Sequence, residues 1–163
     1  MNLQIRLAYL FYTTYVHERD LVKTLIDGST RMVLVESASG LGKTKLIEAI
    51  QAQTCHEMPA FRFDLKSTIL PALKAKGSND PNTKNAVLSE IARLTGKDES
   101  SSEMRRLHAG LANGPWLLLL DAMDEVAYSD RNAVIQEINA LRGQYGTTMR
   151  IVIFSRPPIY TSV

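Results

Sequence analysis

The residues Ser37-Ala38-Ser39-Gly40-Leu41-Gly42-Lys43-Thr44 end in Gly-x-Gly-Lys-Thr, a spacing suited to gripping phosphate. In such a loop the backbone N–H groups and the start of the following helix surround an anion, and the helix dipole adds to the attraction. Lys43 would reach the β- and γ-phosphates of a nucleotide, and the Thr44 hydroxyl would bind Mg²⁺. Ser37, Ala38, Ser39, Gly40, Leu41, Gly42, Lys43, Thr44 and Lys45 are therefore the candidate nucleotide contacts. Ser37 stands where the usual pattern has its first Gly. Should that position need positive φ, Ser costs roughly 1 kcal/mol, whereas otherwise it is harmless. The plain alternative is a Gly-rich turn that merely opens a helix.

A phosphate loop alone holds Mg²⁺ poorly, so a second acidic site should follow another buried strand. Trp116-Leu117-Leu118-Leu119-Leu120 turns acidic as Asp121-Ala122-Met123-Asp124-Glu125, with Gly114-Pro115 punctuating its start. Asp121, at the strand's carboxyl end, is the candidate Mg²⁺ ligand, directly or through water. Asp124 and Glu125 are candidates to orient or activate an attacking water, and spacing does not choose between them. The bland reading is a helix N-terminus that favours acids. A third run, Arg150-Ile151-Val152-Ile153-Phe154, ends in Ser155-Arg156-Pro157-Pro158. If it neighbours the acidic strand, the Arg156 guanidinium could sense the terminal phosphate or stabilise charge during transfer.

Positioning these groups requires strands with helices between them. Arg31 to Val35 and Ala60 to Leu65 read as strands, and Lys45 to Gln53 as a helix with Leu46, Ile47, Ala49 and Ile50 on one side. His17 to Ile26 is another helix, leading to Gly28. Val87, Leu88, Ile91 and Leu94 mark a further one, and Met104, Leu107 and Leu111 the next. Ser129 or Asp130 can cap a helix carrying Val134, Ile135, Ile138 and Leu141, after which Gly143 and Gly146 lead into the last strand. Residues 76–82 read as an exposed loop. The alternation predicts an α/β fold: a three-layer αβα core with a mainly parallel sheet and right-handed crossovers.

The three motifs together resemble the NACHT domains of the STAND class of P-loop NTPases. The likeness rests on Ser39-Gly40-Leu41-Gly42-Lys43-Thr44, on Leu117 to Glu125, and on Phe154-Ser155-Arg156-Pro157, where Phe154 replaces a common Thr. Tyr15-Val16 and Arg19-Asp20 are similar to the lead-in that helps such domains hold adenine. The resemblance implies ATP or ADP with Mg²⁺ as cofactors, slow hydrolysis, and a switch between closed ADP and open ATP forms. It further implies self-association or association with STAND-type proteins, and roles in innate immunity, cell death or defence against phage. By resemblance, the sensor strand lies between the phosphate-loop strand and the acidic strand, with the second strand at an edge. Residues 1–14 would form an apolar lead-in and 15–163 a P-loop core truncated before the helical lid and winged-helix parts. Such a bare core should bind weakly and turn over slowly. It would also leave the phosphate-loop strand partly unprotected, an association hazard.

At 163 residues and 45% hydrophobic, the chain is long and apolar enough for one domain with a real core. A net charge of +2 is too small to argue for nucleic acid. The lone Cys55 excludes an intramolecular disulfide and suits a reducing cytoplasm. Leu7 to Tyr12 is too short to span a bilayer and lacks a convincing cleavage site, so a helix or strand packed on the domain, or an interface, is expected there. His56-Glu57 fails as a zinc-protease motif because Ala60 occupies the second His position. Cys55 reads as buried, His56 as a surface residue and His108 as a packing or boundary residue. Three functions compete: a nucleotide-controlled switch, a small-molecule P-loop kinase, and a non-enzymatic core that modulates full-length partners.

Overall fold

The computed structural model describes residues 5–9, 12–16, 18–36, 40, 42–75, 85–98 and 100–156, with the backbone alone before residue 20. The chain runs β1 (Ile5–Tyr9), β2 (Tyr12–Val16), α1 (Glu18–Asp27), β3 (Met32–Glu36), α2 (Lys43–Thr54) and β4 (Ala60–Asp64). A π-helical turn (Leu65–Ile69) then leads through α3 (Leu70–Ala75), α4 (Ala86–Leu94) and α5 (Ser102–Asn113) to β5 (Trp116–Asp121). A 3-10 turn (Met123–Glu125), α6 (Tyr128–Tyr145) and β6 (Met149–Ser155) complete the described part.

The four later strands form one parallel sheet in the order β3-β6-β5-β4. This is an αβα core with β6 between β3 and β5 and β4 at an edge, the strand order that the resemblance implied. Its apolar residues divide by parity. Leu117 and Leu119 of β5 and Val152 and Phe154 of β6 face α1 and α2, meeting Leu21, Leu25, Ile47 and Ile50. Trp116, Leu118 and Leu120 of β5 and Ile151 and Ile153 of β6 face the opposite way, onto α4, α5 and α6. Trp116 to Leu120 are each 0% exposed, as a central parallel strand covered on both faces requires. Because successive side chains alternate, a one-residue slip of β5 would exchange its two sets of partners.

Several sequence expectations shift. α2 starts at Lys43 rather than Lys45, and β3 is displaced one residue later than read. Ser129 and Asp130 lie inside α6, whose cap Ala127 offers no side-chain bond. Gly143 also lies inside α6. Leu94 and Ile135 are exposed, at the end of α4 and on the outer side of α6. Cys55 is exposed as well, because it caps the C-terminus of α2 instead of packing beneath it. The apolar N-terminus forms an antiparallel hairpin, Ile5 opposite Val16, with β1 lying beside β3. The loop read at residues 76–82 lies outside the described residues. No helix among those described is long and apolar enough to cross a membrane.

Remote polar contacts hold the helices in place. Glu137 of α6 accepts from the Ala86 N–H, and Asn85 Nδ2 donates to the Glu137 carbonyl at 3.0 Å, so α6 caps the start of α4. Arg150 donates from Nε to the Leu25 carbonyl at 3.0 Å, neutralising the C-terminal end of α1. Desolvation, followed by the nearby Arg31, lowers the Arg150 pKa, while Asp27 opposes that change.

Candidate functional site

The carboxyl ends of the parallel strands lie together, which is where open α/β sheets bind ligands. At the end of β3, Gly40 has φ 79° and Gly42 has φ 87°. Both are left-handed conformations that Gly adopts without a Cβ penalty, so the two glycines bend the chain into α2. The first bond inside that helix runs from Leu46 N–H to the Gly42 carbonyl at 2.9 Å. The N–H groups of Lys43, Thr44 and Lys45 therefore have no acceptor within the helix. Gly42 supplies no side-chain cap, and the first turn carries no acid. Two lysines there oppose the helix dipole, each at roughly 0.3–1 kcal/mol. This helix start is poorly arranged for stability and well arranged for an anion. Ser37, Ala38, Ser39 and Leu41 lie outside the described residues, as does the question of φ at Ser37.

Asp121 closes β5 and is on the face that carries Leu117 and Leu119, the same face as α2. Its Oδ1 accepts from the Ala122 N–H at 2.8 Å, and its Oδ2 lies 3.6 Å from Arg62 Nη2. Ala122 then takes φ 63°, the sole positive value for a non-Gly residue among those described. Such a conformation costs Ala about 1–2 kcal/mol, and it turns the chain sharply into the 3-10 turn. Arg131 of α6 clasps that turn from behind, donating to the Val126 carbonyl at 3.0 Å and the Asp124 carbonyl at 3.3 Å.

The turn delivers Asp124 and Glu125 to the end of β6. Asp124 Oδ1 accepts the Arg156 backbone N–H at 2.9 Å, and its Oδ2 lies 3.3 Å from Arg156 Nε. Glu125 Oε1 is 3.4 Å from Arg156 Nη2, and its Oε2 is 3.2 Å from Lys66 Nζ. The structure thus brings Asp124, Glu125 and Arg156 into one ion-paired group. Among the described residues no ion pair joins Lys43 to Asp121, Asp124 or Glu125: Asp121 pairs with Arg62, Asp124 with Arg156, and Glu125 with both Lys66 and Arg156. Sequence reasoning missed Arg62, Lys66 and Arg131, which strand order, the π-helical turn and the return of α6 respectively bring to the site.

The donor set fits Mg²⁺ in part through this chain and in part through a ligand. A hard cation of this kind takes few protein oxygens and keeps several waters. Thr44 offers an exposed hydroxyl at the helix start, and Asp121 offers a carboxylate at the end of β5, with β6 between that strand and β3. Among the described residues no group of three or more His, Cys, Asp or Glu could hold a metal. An ion here would therefore depend on phosphate oxygens as well.

No protein-family profile matches the chain, and no curated protein matches it. Among solved structures it is similar to that of PCH-2 from C. elegans, at 11% identity and a TM-score of 0.46. The similarity covers 88% of this chain and 36% of PCH-2, so the chain spans about a third of that protein's length.

Proposed function

We propose that this chain binds ATP, or GTP, at the β3–α2 turn and hydrolyses it slowly with Mg²⁺, as a nucleotide-controlled switch of the STAND/NACHT type. One observation carries the reading. The three segments that could bind phosphate, hold a metal and sense the terminal phosphate emerge at the same end of three adjacent parallel strands. The bare, basic start of α2 supports anion binding, and Asp121 on the α2 face supports a metal beside it.

In this reading Ser37 to Lys45 surround the phosphates, Lys43 supplies the main charge, and Thr44 and Asp121 bind Mg²⁺. The metal would supply charge neutralisation on the phosphate oxygens. Arg156 passes between the acids and a terminal phosphate, which gives the chain a way to distinguish a triphosphate from a diphosphate. Its output is conformational, passed to copies of itself or to related STAND proteins, in immune or anti-phage defence. Phosphate release from Mg·ATP and Mg·GTP tests the enzymatic part, with the Glu125→Gln chain as control. Slow release that the substitution abolishes is expected. Phosphate transfer to a metabolite in place of release would favour the kinase, and nucleotide binding without any release would favour the non-enzymatic partner.

A further inference from the structure

Asp124 and Glu125 are neighbours in sequence, but their surroundings differ. Both oxygens of Asp124 are engaged by Arg156, one by its backbone N–H and one by Nε. That carboxylate is 18% exposed and holds Arg156 just past the end of β6. Glu125 is 40% exposed, and its longest and weakest contact is the one to Arg156 Nη2. Its closer partner is Lys66 at 3.2 Å, which belongs to a different strand end.

Lys66 reaches Glu125 because the chain leaves β4 as a π-helical turn, not directly as an α-helix. Asp64 starts that turn by accepting the Ser67 N–H at 2.7 Å. π turns are rare and often found at functional sites. This one carries Lys66 across the carboxyl end of the neighbouring strand β5. The pair is too exposed to contribute much to stability, since such bridges are worth about 0–1 kcal/mol. What it does supply is orientation.

The geometry points to Lys66 as the positioning residue for Glu125, and to Glu125 rather than Asp124 as the acid that handles the attacking water. The inference rests on the nucleotide-site reading above. A terminal phosphate attracts Arg156, because guanidinium pairs well with phosphate oxygens. Glu125 then keeps Lys66 as its counterion and stays at the end of β5. The water oxygen bonds to the terminal phosphorus as the bond to the bridging oxygen breaks, leaving that electron pair on the diphosphate. One water proton passes to the Glu125 carboxylate and from there to the departing phosphate.

The test is single-turnover hydrolysis of Mg·ATP alongside equilibrium binding, in the full chain. Lys66→Met should bind ATP within about twofold of the parent but slow the hydrolytic step by about tenfold or more. Lys66→Arg should recover most of the rate, and Lys66→Met should cost nothing further in a Glu125→Gln background. A parent-like rate in Lys66→Met, no recovery with Arg, or an added loss in the Glu125→Gln background would each overturn the inference. So would a parent chain that binds ATP in a Lys43-dependent way without turnover, which leaves the nucleotide site standing. Absence of Lys43-dependent binding would instead overturn the nucleotide-site reading itself.

Discussion

Two turns at the carboxyl end of the sheet have opposite chemistry. The β3–α2 turn bends through glycines at Gly40 and Gly42 and presents an uncapped helix start bearing Lys43 and Lys45. The turn after β5 bends through a strained Ala122 and presents acids that already have cationic partners. The first carries lysines and no acid in the opening turn of α2; the second has a cation beside each of its acids. A ligand at the first turn is therefore stabilised directly, while at the second it must compete with Arg62, Lys66 and Arg156. On the proposed function, that difference would let a bound nucleotide rearrange the second turn. The Lys66–Glu125 pair is exposed on both sides and so is cheap to exchange, and a phosphate bound nearby would compete for Arg156.

The largest expected effect comes from separating the two acids of the second turn. Glu125→Gln should slow hydrolysis by about a hundredfold or more while leaving ATP affinity within a few-fold. Asp124→Asn should act mainly on stability, lowering it by about 1–2 kcal/mol in urea unfolding, because the Arg156 contacts are weakened. Equal rates for Glu125→Gln and the parent would remove the proposed role of that acid.

A smaller pair of changes sharpens the contrast in backbone. Gly42→Ala places a Cβ at φ 87° and should destabilise the chain by about 1 kcal/mol, with weaker nucleotide binding. Ala122→Gly relieves strain at φ 63°, so it should be neutral or stabilise the chain by up to about 1 kcal/mol. Loss of stability in Ala122→Gly would mean that packing of this buried methyl outweighs the strain.

The smallest effect lies at the far end of the sheet and serves as a control on both turns. Tyr145 packs edge-on against Trp116, and its hydroxyl lies 2.6 Å from His108 Nδ1. Burial raises its pKa above the usual 10.0. The folded state then holds its proton more tightly than the unfolded state, so this stabilisation is complete below about pH 10 and is lost as pH rises through the folded value. Tyr145→Phe should flatten the alkaline fall in stability without altering nucleotide binding. A fall of unchanged steepness would place its cause elsewhere.

The strands of the parallel sheet were legible because an unbroken apolar run such as Trp116 to Leu120 has few alternatives to a doubly covered strand. The glycines and acids were legible from chemistry at fixed spacing. The partners were not: Arg62, Lys66 and Arg131 are basic residues whose local patterns match any wetted surface, and only the register of β4 on β5 and the return of α6 bring them to the acids. The hairpin was missed because Leu10-Phe11 between its strands carries none of the Asn-Gly or Gly signals that mark tight turns. Cys55 was expected inside on residue type alone, whereas its position at the end of α2 decides its exposure.

The most direct test of the nucleotide site is equilibrium binding of ATP and ADP with Mg²⁺ to the parent chain and to Lys43→Ala. The account predicts saturable binding by the parent and loss of most of that affinity in a mutant that still folds. Ligand at about a hundred times its dissociation constant should add about 2.7 kcal/mol of stability to the parent alone, which thermal shift reads independently. Equal binding by both chains would contradict the assignment of the β3–α2 turn as the phosphate site.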